Sequence, residues 1–261
     1  MSYNTPMNHE LRHYIELLTS MTHKELTARY KHTVFGFLWI FINPLLQMIV
    51  IGFIFPFFIK EAIPHYYLYL FIGLLTWNFF SLSLSKSCAS IVNERSLIKK
   101  AAFPRSVIPI SIIFSNLTNY LIAFGLFLIP ILLVNTLTIY SVFSFFGGLI
   151  MLVTFIIGIS LLTSALNVRF RDINFFVQAM LIIWFYATPI IYSLSQIPDR
   201  LSWIWRLNPL TSILQLMQHA LIGSALPDIT MLTSNSLIIA AITIFGILIF
   251  REESKNFDDW L

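Results

Sequence analysis

The chain has 261 residues, of which 57% are hydrophobic and 11% are charged, and its mean hydropathy is +0.81. Because a soluble domain carries about a quarter charged residues, this composition excludes an ordinary water-soluble enzyme or binding module. The net charge of +4 comes from basic residues scattered between apolar runs, which argues against a nucleic-acid partner. The sequence therefore predicts an all-α integral membrane protein with several crossings.

Residues 1–32 predict an amphipathic helix on the cytoplasmic surface of the membrane. The segment is basic where it meets the first apolar run, which favours a position in the headgroup region. The alternative is a solvated helical tail packed on the protein. Apolar or weakly polar side chains recur at helical spacings of three and four along one face: Leu11, Ile15, Leu18, Thr22, Leu26 and Tyr30.

The first predicted membrane span covers about residues 35–59 and holds no charged side chain before Lys60. Since an apolar helix needs about 20 residues to cross a core of about 30 Å, this run is long enough. Asn43 and Pro44 interrupt it. Proline removes a backbone hydrogen bond and asparagine brings an amide to membrane depth, so both need protein neighbours. We expect a helix bend at this point.

Further apolar runs complete a six-span membrane domain over residues 33–251, and residues 252–261 are then a cytoplasmic tail. The apolar segment 207–226 contains Asn208-Pro209 and several polar residues, so we interpret it as short re-entrant helices between spans five and six, on the outer side. The five further spans lie at about 66–85, 107–134, 140–166, 175–192 and 235–250.

The distribution of basic residues gives the orientation of these spans. With six spans, 13 of the 16 Lys and Arg residues lie on one side of the membrane. Cytoplasmic loops carry the excess of Lys and Arg, so both termini are predicted in the cytoplasm. A seventh crossing by residues 207–226 would make the asymmetry weaker, which favours six spans.

No catalytic motif is visible in the sequence. The phosphate-binding G-x-x-x-x-G-K-[ST], the zinc motif H-E-x-x-H and the nucleophile motif G-x-S-x-G do not occur, so we expect neither a catalytic residue nor a metal ligand here. The spans carry uncharged amides and essentially no Asp, Glu or His, which argues against proton coupling. We interpret these amides as interhelical hydrogen-bonding groups, with a substrate role as the alternative: Asn43, Gln47, Asn78, Asn116, Asn119 and Gln178.

Aromatic residues make up 16% of the chain. Rings at both membrane interfaces are the default interpretation. A path for a sugar chain would also need aromatic faces, because stacked rings hold an uncharged hydrophilic polymer without trapping it. The candidates for such a path are Phe55, Tyr66, Tyr69, Trp77, Phe79 and Tyr186.

Several local patterns occur together in one order along the chain. They resemble the permease subunits of ABC transporters that export O-antigen, capsule or teichoic-acid polysaccharides, within the type-2 ABC permease superfamily. The patterns are RYKHTVFGFLWIFINPLL at 29–46, LIKKAAFPRSVIP at 97–109, VRFRDIN at 168–174, TPIIYSLSQIP with NPL at 188–210, and FREESKNFDD at 250–259.

The resemblance implies a homodimer in the cytoplasmic (inner) membrane, bound to two copies of a separate ABC ATPase. ATP and Mg²⁺ would bind on that ATPase and no cofactor on this chain, and the cargo would be a lipid-linked glycan. The loop at 86–100 would couple the two subunits, with Asn93, Glu94 and Arg95 at its exposed turn. Arg169, Arg171 and Asp172 would form an ion pair at the cytoplasmic surface.

Two other functions fit the same sequence. A type-2 ABC exporter of a drug or small lipid would share the fold. A membrane-bound glycosyl- or acyltransferase is a further alternative, although the H-x-x-x-x-D and D-x-D patterns of such enzymes are absent.

Overall fold

The computed structural model describes residues 6–31, 36–58, 63–100, 103–134 and 138–261. Within these ranges all regular structure is helical and no strand occurs. Several positions of the sequence analysis lie outside these ranges: residues 1–5 and 32 of the predicted N-terminal helix, the two ends of the first predicted span at 35 and 59, and Lys60.

Eleven α-helices form in the described part of the chain. Short 3₁₀ turns extend several of them, and the last helix follows the sixth apolar run. The helices are α1 (Pro6–Tyr30), α2 (Trp39–Ile54), α3 (Tyr66–Asn93), α4 (Arg95–Lys100), α5 (Val107–Val134), α6 (Ile139–Arg169), α7 (Asp172–Tyr186), α8 (Ser202–Arg206), α9 (Pro209–Ile222), α10 (Ile229–Glu253) and α11 (Phe257–Trp260).

The long apolar helices confirm a multi-pass membrane protein. Helix α7 is apolar but has 15 residues, which is about 22 Å of helix and less than the hydrocarbon core. The fifth predicted span, at 175–192, and with it the count of six therefore stay predictions. Five stretches of the described residues are long and apolar enough to cross a membrane: Trp39–Phe57, Tyr66–Asn93, Val107–Leu133, Ile139–Arg169 and Ile229–Trp260.

Helix α7 ends six residues before the predicted end of the fifth span at residue 192. Thr188 precedes Pro189, and a residue before proline is disfavoured in the α conformation. The chain instead forms tight turns after Ala187, whose backbone N–H still donates to Ile183. This break begins the irregular segment between α7 and α9.

Helix α6 lies at the centre of the bundle and packs against α3, α9 and α10. Phe80 of α3 and Phe155 of α6 are both fully buried and stack with ring centroids 5.6 Å apart. Trp184 of α7 packs edge-on against both rings. Burial of these large rings fixes the relative position of three helices.

Glycine makes the close crossing of α6 and α10 possible. A Cβ on Gly158 would lie 2.5 Å from the Cα of Thr243, and a Cβ on Gly246 would collide with the Gly158 carbonyl group. The Thr243 hydroxyl lies 3.1 Å from the Thr154 carbonyl oxygen across the same contact. Small residues allow helix backbones to approach in a membrane, where apolar burial alone does not drive association.

Asn208 organises the segment between α7 and α9. Its Oδ1 accepts from the Trp184 indole at 2.9 Å and from the Leu210 amide at 3.1 Å, which caps α9. Its Nδ2 donates to the Ala187 carbonyl and the Thr188 hydroxyl. Within the segment 207–226, where re-entrant helices were predicted, the structure forms the one helix α9, and α8 lies just before it. The re-entrant path and the depth of these helices in the membrane stay predictions.

The C-terminal segment 252–261 folds back against the end of the bundle where α5 begins. Phe257 is fully buried and Leu261 is 5% exposed, in a cluster with Ile98. Arg105 donates to the Ser254 carbonyl and to the Asp258 carboxylate. This tail is therefore a packed element and not a free extension.

Helix α1 packs along α5. The Tyr14 hydroxyl lies 3.4 Å from that of Ser106 at the start of α5. Leu11 and Ile15 remain at least half exposed, whereas Leu18 is half-buried. The predicted apolar face is thus divided between open surface and the protein, and the position of α1 on the membrane surface stays a prediction.

Candidate functional site

A cavity of about 880 Å³ lies between the end of α1 and helices α2, α3, α5 and α7. Helices α2 and α7 both pack against α3. The cavity is a groove that is partly open to the outside of the subunit. Its walls combine apolar and polar side chains, which is typical of a binding site for an amphipathic or hydrophilic molecule.

All six amides that the sequence places in the spans line this one cavity. Four of them also join neighbouring helices, namely Gln47, Asn78, Asn116 and Gln178. Asn78 Nδ2 of α3 donates to Gln47 Oε1 of α2 at 3.0 Å, and Gln178 Nε2 of α7 donates to Ser85 Oγ of α3 at 2.5 Å. The interhelical role is therefore confirmed for these groups, and it coincides with exposure to the cavity.

Helix α5 contributes Asn116 and Asn119, three residues apart and so on one face. Asn116 Nδ2 donates to the buried Ser83 hydroxyl of α3 at 3.1 Å. Asn119 is 6% exposed, and neither its Nδ2 nor its Oδ1 has a hydrogen-bond partner. Buried amides are normally paired, so Asn119 is the unusual member of the set.

Arg29 is the one charged side chain among the described residues that line the cavity. It projects from the last turn of α1, and its Nη2 donates to Asn116 Oδ1 at 2.5 Å. Sequence reasoning assigned Arg29 to the membrane flank and missed this contact. No local pattern reveals it, because the contact joins residues 87 positions apart.

Three of the six candidate aromatic residues line the cavity, namely Trp77, Phe79 and Tyr186. Tyr66 and Tyr69 instead bind the segment after α7. The Tyr66 hydroxyl donates to the Ile191 carbonyl at 3.0 Å. That of Tyr69 lies 3.0 Å from the Pro189 carbonyl oxygen and 2.9 Å from the Tyr192 carbonyl oxygen. These two tyrosines therefore attach the segment after α7 to α3.

Phe55, the sixth candidate, lies in the 3₁₀ turn that extends α2 and is outside the cavity lining. Three other aromatic residues line the cavity and were missed: Trp39, Tyr120 and Phe185. A signal for two of them exists. Tyr120 follows Asn116 by four positions and Phe185 follows Gln178 by seven, so each shares a helical face with a polar residue.

The family described as ABC-2 type transporter matches residues 16–222. The chain belongs to this family. It is 35% identical over 221 residues to the O-antigen export system permease protein RfbA of Myxococcus xanthus, which covers 84% of this chain and 85% of that protein. It is 35% identical over 256 residues to the protein of the same name from Klebsiella pneumoniae, covering 94% and 96% of the two chains. Another Klebsiella pneumoniae relative of that name is 33% identical over 256 residues.

In this ABC-2 family member the predicted coupling turn lies between α3 and α4. Asn93 and Arg95 are exposed, whereas Glu94 is half-buried and is held by Lys24 of α1 at 2.7 Å. The backbone carbonyl of Glu94 accepts from the amide of Ile98, whose side chain is buried. The turn is thus rigidly supported and presents two polar side chains outward.

The predicted ion pair among Arg169, Arg171 and Asp172 does not form. Arg169 instead lies 3.9 Å from the carboxylate of Glu253 on α10 and stacks on the ring of Trp260. Among the described ion pairs none includes Arg171 or Asp172. Asp172 instead lies at the first residue of α7, where the positive end of the helix dipole stabilises its carboxylate.

Pro44 is buried inside α2, and the adjoining Asn43 faces the cavity. A proline at this place leaves the carbonyl of Ile40 without its usual helical donor. Both residues thus lie in the wall of the site, and the predicted bend stays a prediction.

Proposed function

We propose that this ABC-2 transporter chain is the membrane subunit of an ATP-driven exporter of a lipid-linked polysaccharide, of the O-antigen, capsule or teichoic-acid type. The observation that carries the proposal is the cavity, in which six amides and several aromatic faces meet. The relatives that match this chain over most of their length are named as O-antigen export permeases, which supports the same class of cargo.

The lining of the cavity suits a sugar chain. Amide side chains both donate and accept hydrogen bonds, as sugar hydroxyls do. Aromatic faces such as those of Trp77, Phe79 and Tyr186 offer stacking surfaces without fixed charge. No carboxylate lines the cavity among the described residues, so a proton-coupled cycle has no titrating group there.

Energy then comes from a partner. Two copies of a separate ABC ATPase bind ATP and Mg²⁺ on the cytoplasmic side and close on each other. The exposed Asn93 and Arg95 transmit that movement from the turn between α3 and α4. Both termini lie in the cytoplasm, in line with the basic residues counted on that side.

A second copy of the chain completes the cavity wall. Helix α2 is barely buried within one subunit, and large apolar side chains of α2 and α7 are exposed beside the groove, among them Val50, Phe53 and Ile182. Two subunits related by a two-fold axis bring identical surfaces together and enclose a channel between them. Homodimerisation thus accounts for the open side of the groove.

Six crossings fit this arrangement. Helix α7 alone is short, and the chain after it is fixed by Asn208 and Tyr69. Irregular backbone is tolerated at membrane depth where protein surrounds it. The fifth crossing is therefore α7 together with the turns that follow, in the cytoplasmic (inner) membrane.

The test is polymer export in a strain that lacks the gene. Tyr186→Ala removes a cavity ring that is 64% exposed, and Tyr140→Ala removes a ring that is 79% exposed at the start of α6, outside the cavity. We expect accumulation of lipid-linked polymer inside cells that carry Tyr186→Ala, and normal export with Tyr140→Ala. Normal polymer export in the deletion strain itself would contradict a polysaccharide cargo and favour a drug or small lipid as the cargo.

A further inference from the structure

The guanidinium of Arg29 is half-buried between α1 and α5. Its partner Asn116 is nine residues past Val107, the first residue of α5, which is about 14 Å along the helix axis. The start of α5 adjoins the basic turn that carries Lys99 and Lys100. Arg29 therefore enters the cavity from the end of the bundle at which α5 begins, next in the chain to these two lysines.

The charge of Arg29 has no direct ion-pair partner among the described residues, and the nearby Lys86 interacts electrostatically with both Arg29 and Glu25. None of the ion pairs within the described part of the chain includes it. The acid one turn earlier on α1, Glu25, does not line the cavity. A half-buried cation without a direct ion-pair partner and with a second cation nearby is unfavourable, so an anion that enters the cavity is attracted to this place.

Hydrogen-bond donors at the same place lack partners. The Nε of Arg29 is buried and unpaired. The Nδ2 of Asn119, one turn beyond Asn116 on α5, is also buried and unpaired. This residue is only 6% exposed. Buried donors are almost always satisfied in folded proteins, so two orphaned donors beside one unpaired cation indicate a missing acceptor.

We propose that Arg29 and Asn119 bind the phosphate group of a lipid-linked substrate, with Asn116 orienting the guanidinium. A planar guanidinium presents parallel N–H groups that match phosphate oxygens, and such charge-assisted hydrogen bonds are strong. The Asn119 amide adds a donor through Nδ2 and an acceptor for a sugar hydroxyl through Oδ1. This inference rests on the proposed function, because it assigns one part of that substrate to one part of the cavity.

The lipid chain has an exit from this site. Apolar lining residues lead from the phosphate site to the open side of the groove, including Leu82 and Ile182, which are 40% and 66% exposed. The glycan would lie along the amides and rings of the remaining wall. The phosphate is thus held at the junction between the hydrophobic and hydrophilic parts of the cargo.

Anionic phospholipids carry the same phosphate chemistry, so the experiment separates the two sources. Purified protein in neutral detergent is titrated with geranylgeranyl pyrophosphate, with geranylgeraniol and with phosphatidylglycerol, and bound lipid is counted by native mass spectrometry. The variants are Arg29→Gln, Arg29→Lys, Asn119→Leu and the control Lys31→Gln, which removes an exposed cation just after α1.

We expect Arg29→Gln to weaken pyrophosphate binding by about tenfold or more, and Arg29→Lys and Asn119→Leu by less. Lys31→Gln should bind as the wild type does, and geranylgeraniol should bind weakly to all variants. A similar loss for phosphatidylglycerol supports the site and identifies membrane phospholipid as a second source. Unchanged binding in both Arg29 variants overturns the proposal.

The outcome is independent of the cargo test. If Arg29→Gln binds the pyrophosphate normally while Tyr186→Ala blocks polymer export, the phosphate site is wrong and the proposed function stands. If the pyrophosphate depends on Arg29 while polymer export is normal in the deletion strain, the site stands and the cargo is wrong. Arg29→Lys, which keeps the charge, preserves the comparison should Arg29→Gln fail to fold.

Discussion

Lys24 of α1 donates to the carboxylate of Glu94 across 2.7 Å and ties the N-terminal helix to the turn that follows α3. Glu94 was expected to face a partner subunit from that turn. Its side chain is 27% exposed and is occupied within the subunit. In the proposed coupling, the side chains left to meet the ATPase are those of Asn93 and Arg95, both of which are exposed.

Glu94→Arg should abolish export while the protein remains in the membrane, because two cations then repel each other where α1 meets the proposed coupling turn. The double variant Lys24→Glu with Glu94→Lys restores an opposite pair and should recover export. Arg95→Glu should reduce ATPase binding in either background. Export by each variant and copurification of the ATPase are the measurements; a double variant as inactive as Glu94→Arg would assign Glu94 to the ATPase interface instead.

The crossing of α6 and α10 predicts that alanine substitutions at two glycines of α6 differ sharply in their effect on stability. A Cβ at Gly158 meets backbone atoms of Thr243, so Gly158→Ala should separate the helices and lower the free energy of unfolding by about 1–3 kcal/mol. A Cβ at Gly147 meets nothing within 4 Å. Thermal unfolding in detergent should therefore show a lower midpoint for Gly158→Ala, and equal midpoints for both variants would contradict the close crossing.

Asn208→Ala should destabilise the segment after α7. The change removes the cap of α9 and leaves the Trp184 indole without an acceptor, at a cost of about 1–3 kcal/mol for buried unpaired groups. Asn256→Ala is the matched control, since Asn256 is exposed and its side chain caps nothing. Hydrogen exchange of the backbone amides that follow Tyr186 should become faster in Asn208→Ala and stay unchanged in Asn256→Ala. Exchange in Asn208→Ala as slow as in the wild type would show that the hydrogen bonds of Asn208 are dispensable.

Pro44→Ala tests the predicted bend in α2. Alanine restores the missing backbone hydrogen bond and straightens the helix, so we expect a folded protein with reduced export. Pro130→Ala in α5, another proline inside a helix and outside the cavity lining, should export normally. Wild-type export by Pro44→Ala would leave Pro44 as a tolerated kink.

The sequence predicted the class of fold well because the hydrophobicity that specifies a membrane helix is a property of one continuous stretch of chain. Long apolar runs without charge specify membrane helices, and they coincide with five long helices of the structure. The predicted fifth span extended to residue 192, whereas α7 ends at Tyr186, since hydropathy does not register the backbone restriction that Pro189 imposes.

The site was predicted in its parts and not in its assembly. Each span amide was visible as a polar residue at membrane depth, yet the convergence of Gln47, Asn78 and Gln178 depends on how α2, α3 and α7 rotate when they pack. Tyr69 was assigned to the channel by composition alone, although its hydroxyl is buried against backbone carbonyls. The choice between two faces of one helix is tertiary, and in a single sequence it shows only through the spacing from a polar residue, as for Tyr120 and Asn116.

The most direct measurement of the central claim is ATP-dependent translocation in proteoliposomes that contain this chain and its ATPase. A lipid-linked glycan is placed in the membrane with its sugar on the ATPase side, and a glycosidase on the far side reports its arrival. The account predicts cleavage that needs ATP, both proteins and an intact Tyr186. Cleavage that is equal without ATP, or none with the complete system, would contradict it.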